Sequence, residues 1–92
     1  MTYSIELTPL AKSQMVAWHK AGQKKAVAKI WSLIEELRLH PTTGTGQVEQ
    51  LKGDMSGMWS RRIDKKSRLV YRIEDARVTV VVVSVRGHYK DK

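Results

Sequence analysis

The chain has 92 residues, with 17 Lys+Arg against 9 Asp+Glu, a formal net charge of +8 at pH 7 and no cysteine. These figures describe one small basic domain spanning residues 1–92 and exclude disulfide frameworks, cysteine-based zinc sites and thiol nucleophiles. A hydrophobic share of 41% beside 28% charged residues excludes a disordered basic tail and leaves nucleic acid as the commonest partner for so much positive charge.

Tyr3, Ile5 and Leu7 alternate with Ser4 and Glu6, which predicts a short half-buried strand. Thr8 as N-cap, Pro9 at the first helical position and Gly22 as a stop frame a first helix, with Leu10, Ala11, Met15 and Trp18 on one face. Over residues 23–40 the apolar Val27, Ile30, Trp31, Ile34 and Leu37 recur three and four apart, predicting a longer helix that Pro41 closes. His19 and His40 fall at helix ends, where a cation suits the dipole. Residues 42–46, Thr-Thr-Gly-Thr-Gly, read as a flexible connection, because this Gly-x-Gly is too lightly framed to be a phosphate-binding fingerprint.

The second half reads as strands over residues 47–51, 58–63, 68–74 and 78–85, with turns around Gly53-Asp54, Asp64-Lys65-Lys66 and Asp75-Ala76. The longest apolar run, residues 78–83 broken only by Thr79, falls far short of the roughly 20 residues that span a bilayer. Residues 1–7 lack a basic region followed by an apolar one, so the cytoplasm is the expected location. The order β-α-α-β-β-β-β points to an α+β fold in which a helical hairpin packs on one face of a mainly antiparallel sheet and leaves the other face open.

The charge concentrates late in the chain, in Lys52, Arg61, Arg62, Lys65, Lys66, Arg68, Arg72, Arg77, Arg86, Lys90 and Lys92. An odd connection at Asp64-Lys65-Lys66 would set Arg62 opposite Arg68, with Arg68, Val70 and Arg72 on the open face and Leu69, Tyr71 and Ile73 toward the helices. Glu49 is the only carboxylate on the strand before this basic region, and His88 stands beside Tyr89 in a polar tail with no packing reason for an imidazole. The histidines lack HxH or HExxH spacing, so no metal site is expected. One carboxylate, one imidazole and several guanidinium groups suit RNA cleavage by the substrate's own 2′-hydroxyl.

Three stretches carry a resemblance: Gly46-Gln47-Val48-Glu49-Gln50-Leu51-Lys52; Ser56-Gly57-Met58-Trp59-Ser60-Arg61-Arg62-Ile63; and Arg68-Leu69-Val70-Tyr71, followed by a late His88-Tyr89. In this order and spacing they resemble the YoeB/Txe toxins of the RelE superfamily. That resemblance implies a RelE-like fold and the toxin of a type II toxin–antitoxin pair, cutting messenger RNA in the ribosomal A site without metal or organic cofactor. By matching position it implies Glu49 as general base, His88 as general acid, Arg68 as stabiliser of the phosphate, and Tyr89 orienting the substrate. Lys52 and Arg62 would hold phosphates nearby, and Arg61, Lys65, Lys66 and Lys90 would grip RNA. The implied partners are an antitoxin of the YefM/Axe kind with an acidic segment that folds on binding, the 70S ribosome with its messenger, and a second copy of the chain.

The sequence departs from the family at Lys65-Lys66-Ser67, where an acidic pair and a histidine are usual, and continues past Tyr89 with Lys90-Asp91-Lys92. Two other readings fit the composition: a ParE-like toxin that binds gyrase without cleaving anything, whose relatives lack the terminal His-Tyr, and a basic RNA-binding module without catalysis.

Overall fold

A computed structural model describes residues 2–87. Strand β1 (Ser4–Leu7) leads into helices α1 (Pro9–Lys20) and α2 (Lys24–Leu37), followed by strands β2 (Glu49–Gln50), β3 (Met58–Asp64), β4 (Ser67–Glu74) and β5 (Thr79–Arg86). They form one sheet of order β1-β5-β4-β3-β2. β2, β3, β4 and β5 pair antiparallel in succession, and β1 joins parallel to β5 through Ser4–Thr79 to Leu7–Val82. The sheet is therefore mixed. Short connections give antiparallel neighbours, whereas the helical hairpin carries the chain from β1 at one edge to β2 at the other, and the return through β3 and β4 brings β5 parallel to β1.

α1 starts as its sequence dictates: the Thr8 hydroxyl accepts from the Ala11 amide at 3.0 Å and Pro9 occupies the first turn. Its Ala11, Met15 and Trp18 join Ile30, Leu33, Ile34 and Leu37 of α2 against Leu69, Tyr71, Val80, Val82 and Val85 of the sheet. The Trp18 indole donates to the Val85 carbonyl at 2.7 Å, which fixes the hairpin against the last strand. Two residues leave the predicted stripes. Leu10 (49% exposed) and Trp31 (47%) face outward, while Leu33 takes an inward place. α2 also stops three residues before the predicted end. Its last turn tightens through bonds from Arg38 to Glu35 and from Leu39 to Glu36, because the residue before Pro41 is pushed out of helical conformation.

β4 alternates as expected, with Ser67, Leu69 and Tyr71 buried and Arg68, Val70 and Arg72 half-exposed on the opposite face. Arg62 does pair with Arg68, by a route different from a three-residue loop. Asp64 pairs with Ser67 around a two-residue turn, and an irregularity between Arg62 and Asp64 absorbs the odd residue. A second irregularity lies opposite Val70 and Tyr71, where β5 passes from Ser84 to Val82.

The largest correction concerns Arg61. Expected to grip RNA, it is fully buried on the helix side of β3. Its Nη1 reaches the Glu36 carboxylate at 2.5 Å and the Thr45 carbonyl at 3.3 Å, and its Nη2 donates to the carbonyls of Thr43 (2.7 Å) and His40. Its Nε donates to the Tyr71 hydroxyl at 3.3 Å, and that hydroxyl donates to the Pro41 carbonyl at 2.6 Å. Alternation explains the error: Arg61 lies one residue from the open-face Arg62, so it must point the other way. The 42–46 connection is accordingly a tied loop. The two glycines let it close, since a Cβ on Gly44 would stand 2.7 Å from the Glu36 carboxylate and both glycines have positive φ.

Burial raises the pKa of Glu36, but bonds from the Thr45 amide and hydroxyl and the charge of Arg61 outweigh it, so the carboxyl sits below its ordinary 4.5. A depressed carboxylate stabilises the fold fully above the unfolded value and loses that contribution as the pH falls through the folded one. Glu36→Ala leaves the buried guanidinium short of its counter-charge and is expected to cost about 3 kcal/mol in urea denaturation at neutral pH. Glu36→Gln is expected to flatten the loss of stability that the wild type shows below the ordinary carboxylate range.

Candidate nucleic-acid interface

Helices cover one face of the sheet, and the other face carries a row of arginines created by the register. Arg62 of β3 lies opposite Arg68 of β4, and Arg68 lies opposite Arg86 of β5. Side chains of directly paired residues share a face, so three guanidinium groups cross three adjacent strands side by side. Like charges in such positions repel, and an anion on the row removes the repulsion. Arg62 Nε is buried without a hydrogen-bond partner.

Two residues along the strands runs the next row, in which Glu49 of β2 is opposite Ser60 and Ser60 is opposite Val70 and thence Ser84. This places the carboxylate beside the arginines: Glu49 Oε1 lies 3.6 Å from Arg68 Nη1, and the same nitrogen is 3.4 Å from the Ser60 hydroxyl. Both side chains of the ion pair remain substantially exposed, at 43% for Arg68 and 60% for Glu49. A carboxylate and a guanidinium in solvent, in contact yet loosely held, can part to receive a phosphodiester. A guanidinium so released is chemically suited to bind a phosphate, and a freed carboxylate to accept a proton.

The positive charge is polarised along this face. At one end Arg72 pairs with Glu74 at 2.9 Å, and Arg77 pairs with both Glu74 and Glu6. Bonds from Arg72 and then Arg77 hold the Glu74 carboxyl below the ordinary carboxylate range. At the other end Arg68 and Arg86 join Lys65 and Lys66 around a groove of about 530 Å³, whose walls are completed by Leu10, Met55, Val70, Val83 and Ser84. Among the described residues, the groove's cations face only Glu49 as a paired acid.

Glu49 and Arg68 are in contact. Arg62 stands beside Arg68, and Lys65 and Lys66 form the exposed turn at the groove's end. Lys52 is exposed just before the short 3-10 turn Gly53–Met55, whose Met55 lines the groove. Arg61 is not in this site. His88, Tyr89 and Lys90 lie outside the described residues. The last described residues are Arg86, in the arginine row, and Gly87, which packs so tightly on Trp18 and Ser67 that a Cβ would fall 2.4 Å and 2.3 Å from them.

Sequence reasoning missed Arg86, Ser60 and the apolar wall of Leu10 and Met55. Arg86 was hidden because the irregularity at Val83 breaks the alternation of the last strand, so that Val80, Val82 and Val85 face the core and Arg86 turns outward. The wall was hidden because it joins residues 45 positions apart. Among the described residues no group of three His, Asp or Glu side chains is placed to hold a metal ion, and no helix is long and apolar enough to cross a membrane.

Comparison with known proteins places this geometry in a family. Residues 8–89 match the model of the YoeB-like toxin of bacterial type II toxin–antitoxin systems. The chain is 41% identical over 86 residues to Toxin YoeB of Mycobacterium bovis, covering 94% of this chain and 98% of that one. The YoeB/ParE toxin from Agrobacterium tumefaciens superposes with a TM-score of 0.85 at 35% identity, over 94% of this chain and 99% of that one. The toxin of the YoeB–YefM complex from Staphylococcus aureus does so with a TM-score of 0.80 at 31% identity, over 97% and 100%, and a YoeB dimer from the same organism is equally similar. With its helical hairpin on one sheet face and its basic groove on the other, the chain belongs to the YoeB-like toxins of bacterial type II toxin–antitoxin systems.

Proposed function

We propose that this toxin is a ribosome-dependent endoribonuclease of the cytoplasm that cuts messenger RNA in the A site by attack of the messenger's own 2′-hydroxyl. The observation that carries the reading is the Glu49–Arg68 contact at 3.6 Å at the groove end of the basic face. The backbone phosphate displaces Glu49 from Arg68 and settles on the arginine row. Glu49, now freed, takes the proton of the 2′-hydroxyl. The 2′-oxygen bonds to phosphorus, negative charge gathers on the non-bridging oxygens beside Arg68, and the bond to the 5′-oxygen breaks as His88 supplies its proton. The products are a 2′,3′-cyclic phosphate and a free 5′-hydroxyl. No step calls on a metal or an organic cofactor.

In this scheme Arg62 and Arg86 flank Arg68 on the phosphate. Lys52, Lys65, Lys66 and Lys90 hold neighbouring phosphates of messenger or ribosomal RNA, and Tyr89 orients the nucleotide at the scissile bond. The ribosome presents the messenger in an extended, fixed conformation, and this positioning supplies much of the rate. The antitoxin partner is a YefM-like chain whose acidic segment folds over the basic face and competes with RNA for the same arginines. The S. aureus toxin with YefM and the S. aureus dimer support an antitoxin-bound state and a homodimer as the other assemblies of this chain.

On a defined messenger in programmed 70S ribosomes, wild type is expected to cut within the A-site codon, and Glu49→Gln, Arg68→Ala and His88→Ala to slow cutting by ~10²- to 10⁴-fold. Because the Glu49–Arg68 pair is exposed, Glu49→Gln should change stability by less than about 1 kcal/mol in thermal denaturation. Cutting undiminished in all three variants would remove the mechanism, and an intact messenger with folded, ribosome-bound wild type would favour a gyrase-binding or plain RNA-binding role.

Replacing Lys65 and Lys66 together by Ala is expected to lower the salt dependence of single-stranded RNA binding. Two lost phosphate contacts reduce the slope of log K against log salt by about 1.4. An unchanged slope would place these lysines outside the RNA path.

A further inference from the structure

The strand that carries Glu49 has only two residues, Glu49 and Gln50. So short an edge strand cannot fix a side chain by its own ladder, and its position is set by what holds it at either end. Downstream, the Leu51 amide donates to the Met58 carbonyl at 2.8 Å. Upstream, the Arg62 amide donates to the Gly46 carbonyl at 2.5 Å, three residues before Glu49. Gly46 lies so close to β3 that a Cβ there would come 3.1 Å from the Arg62 carbonyl oxygen and 3.2 Å from the Arg61 Cβ.

The loop that delivers Gly46 has no helix or strand of its own between Leu37 and Glu49. Its backbone is gathered by Arg61, which binds the carbonyls of His40, Thr43 and Thr45 and the carboxylate of Glu36. Glu36 in turn accepts from the Thr45 amide at 2.9 Å, and Tyr71 holds the Pro41 carbonyl. One planar guanidinium thus binds three loop carbonyls from the core side of β3, while the neighbouring Arg62 backbone binds a fourth. A lysine has the charge but not the fork, so its ammonium cannot reach these acceptors together.

We propose that Arg61 is a positioning residue for Glu49: from the opposite side of the sheet it holds the 40–46 loop, and through Gly46 sets the carboxylate at its distance from Arg68. The inference rests on the reading of Glu49 as the base of an RNA-cleaving site, and gives a fully buried arginine a role in the reaction without contact with RNA. It also separates the two adjacent arginines by function, with Arg62 on the substrate side and Arg61 on the support side.

The test compares wild type, Arg61→Lys and Gly46→Ala in single-turnover cleavage on programmed ribosomes. Ribosome affinity, thermal unfolding and amide hydrogen exchange at residues 49 and 50 are measured in parallel. Gly46→Ala disturbs the loop end while leaving Arg61 in place, so it probes the same link should Arg61→Lys fold poorly. Both variants are expected to lower the cleavage rate constant at saturating ribosomes by ~10- to 100-fold, the loss that a displacement of about 1 Å brings. Exchange at residues 49 and 50 should rise, while ribosome affinity and its salt slope stay within about two-fold of wild type, as required of a residue that neutralises no phosphate.

Wild-type rate constants in folded variants, or unchanged exchange at residues 49 and 50, would overturn the proposal. So would a loss appearing only as weaker ribosome binding with a shallower salt slope, which would return Arg61 to the RNA contacts. Should wild type itself leave the messenger intact, the nuclease reading fails. The exchange measurement then still decides whether Arg61 holds the Glu49 strand.

Discussion

A guanidinium taken wholly out of water needs an acceptor for nearly every N–H and a counter-charge close by, or its burial costs several kcal/mol. Arg61 meets that requirement by drawing in the end of α2, the loop that follows it and the hydroxyl of a core tyrosine. The rest of the architecture depends on this arrangement. The hairpin packs on β3, β4 and β5 through an apolar core, but the chain between the hairpin and β2 has no apolar anchor of comparable size. Polar bonds to one buried cation give it a single path. The glycines of this segment serve that closure, since a side chain at Gly44 would occupy the space of the Glu36 carboxylate. What looks in the sequence like a loose spacer is therefore a tied segment that leads directly into the edge strand.

Charge on the open face follows a second logic. Paired strands set Arg62, Arg68 and Arg86 in one row, an arrangement unfavourable in the free protein. Natural sheets usually intersperse acids among such cations, and this one does so at the far end, where Glu74 and Glu6 neutralise Arg72 and Arg77. Near the groove Glu49 is, among the described residues, the one carboxylate paired with an arginine of the row, and it partly offsets the row's charge. In the proposed mechanism the same residue, which eases repulsion in the free protein, becomes available as a proton acceptor once a phosphate takes its place. Binding and activation of the base are then one event. An acidic segment on the same row would occupy it without offering a 2′-hydroxyl, which is how an inhibitor of the chain would act.

Much of this was legible in the sequence because period and punctuation are local properties. Thr8-Pro9 and Pro41 frame the helices, and alternation in residues 68–74 gives the faces of β4. The pairing of Arg62 with Arg68 was expected from an odd connection, but it rests on the irregularity between Arg62 and Asp64, because a regular two-residue turn would set Arg62 opposite Leu69. The direction of Arg61 was hidden because a run of basic residues reads as one surface until alternation assigns its members to opposite faces. Leu10 and Trp31 match helical spacing with the core, but each sits at the margin of its stripe and faces outward. The groove wall required knowing that the start of α1 and the turn after β2 meet at the same end of the sheet, and no local pattern encodes that. The parallel union of β1 with β5 is likewise a long-range choice.

The central claim is that the messenger supplies its own nucleophile while Glu49 and the arginine row act on it. The most direct measurement programs 70S ribosomes with two messengers identical except for a single 2′-deoxy nucleotide on the 5′ side of the scissile bond, and characterises the ends produced. The account predicts that the ribonucleotide messenger is cut to a 2′,3′-cyclic phosphate and a 5′-hydroxyl and that the deoxy messenger stays whole. Cutting of the deoxy messenger at the same position, or a 5′-phosphate on the downstream fragment, would show that water or another nucleophile attacks, and would contradict it.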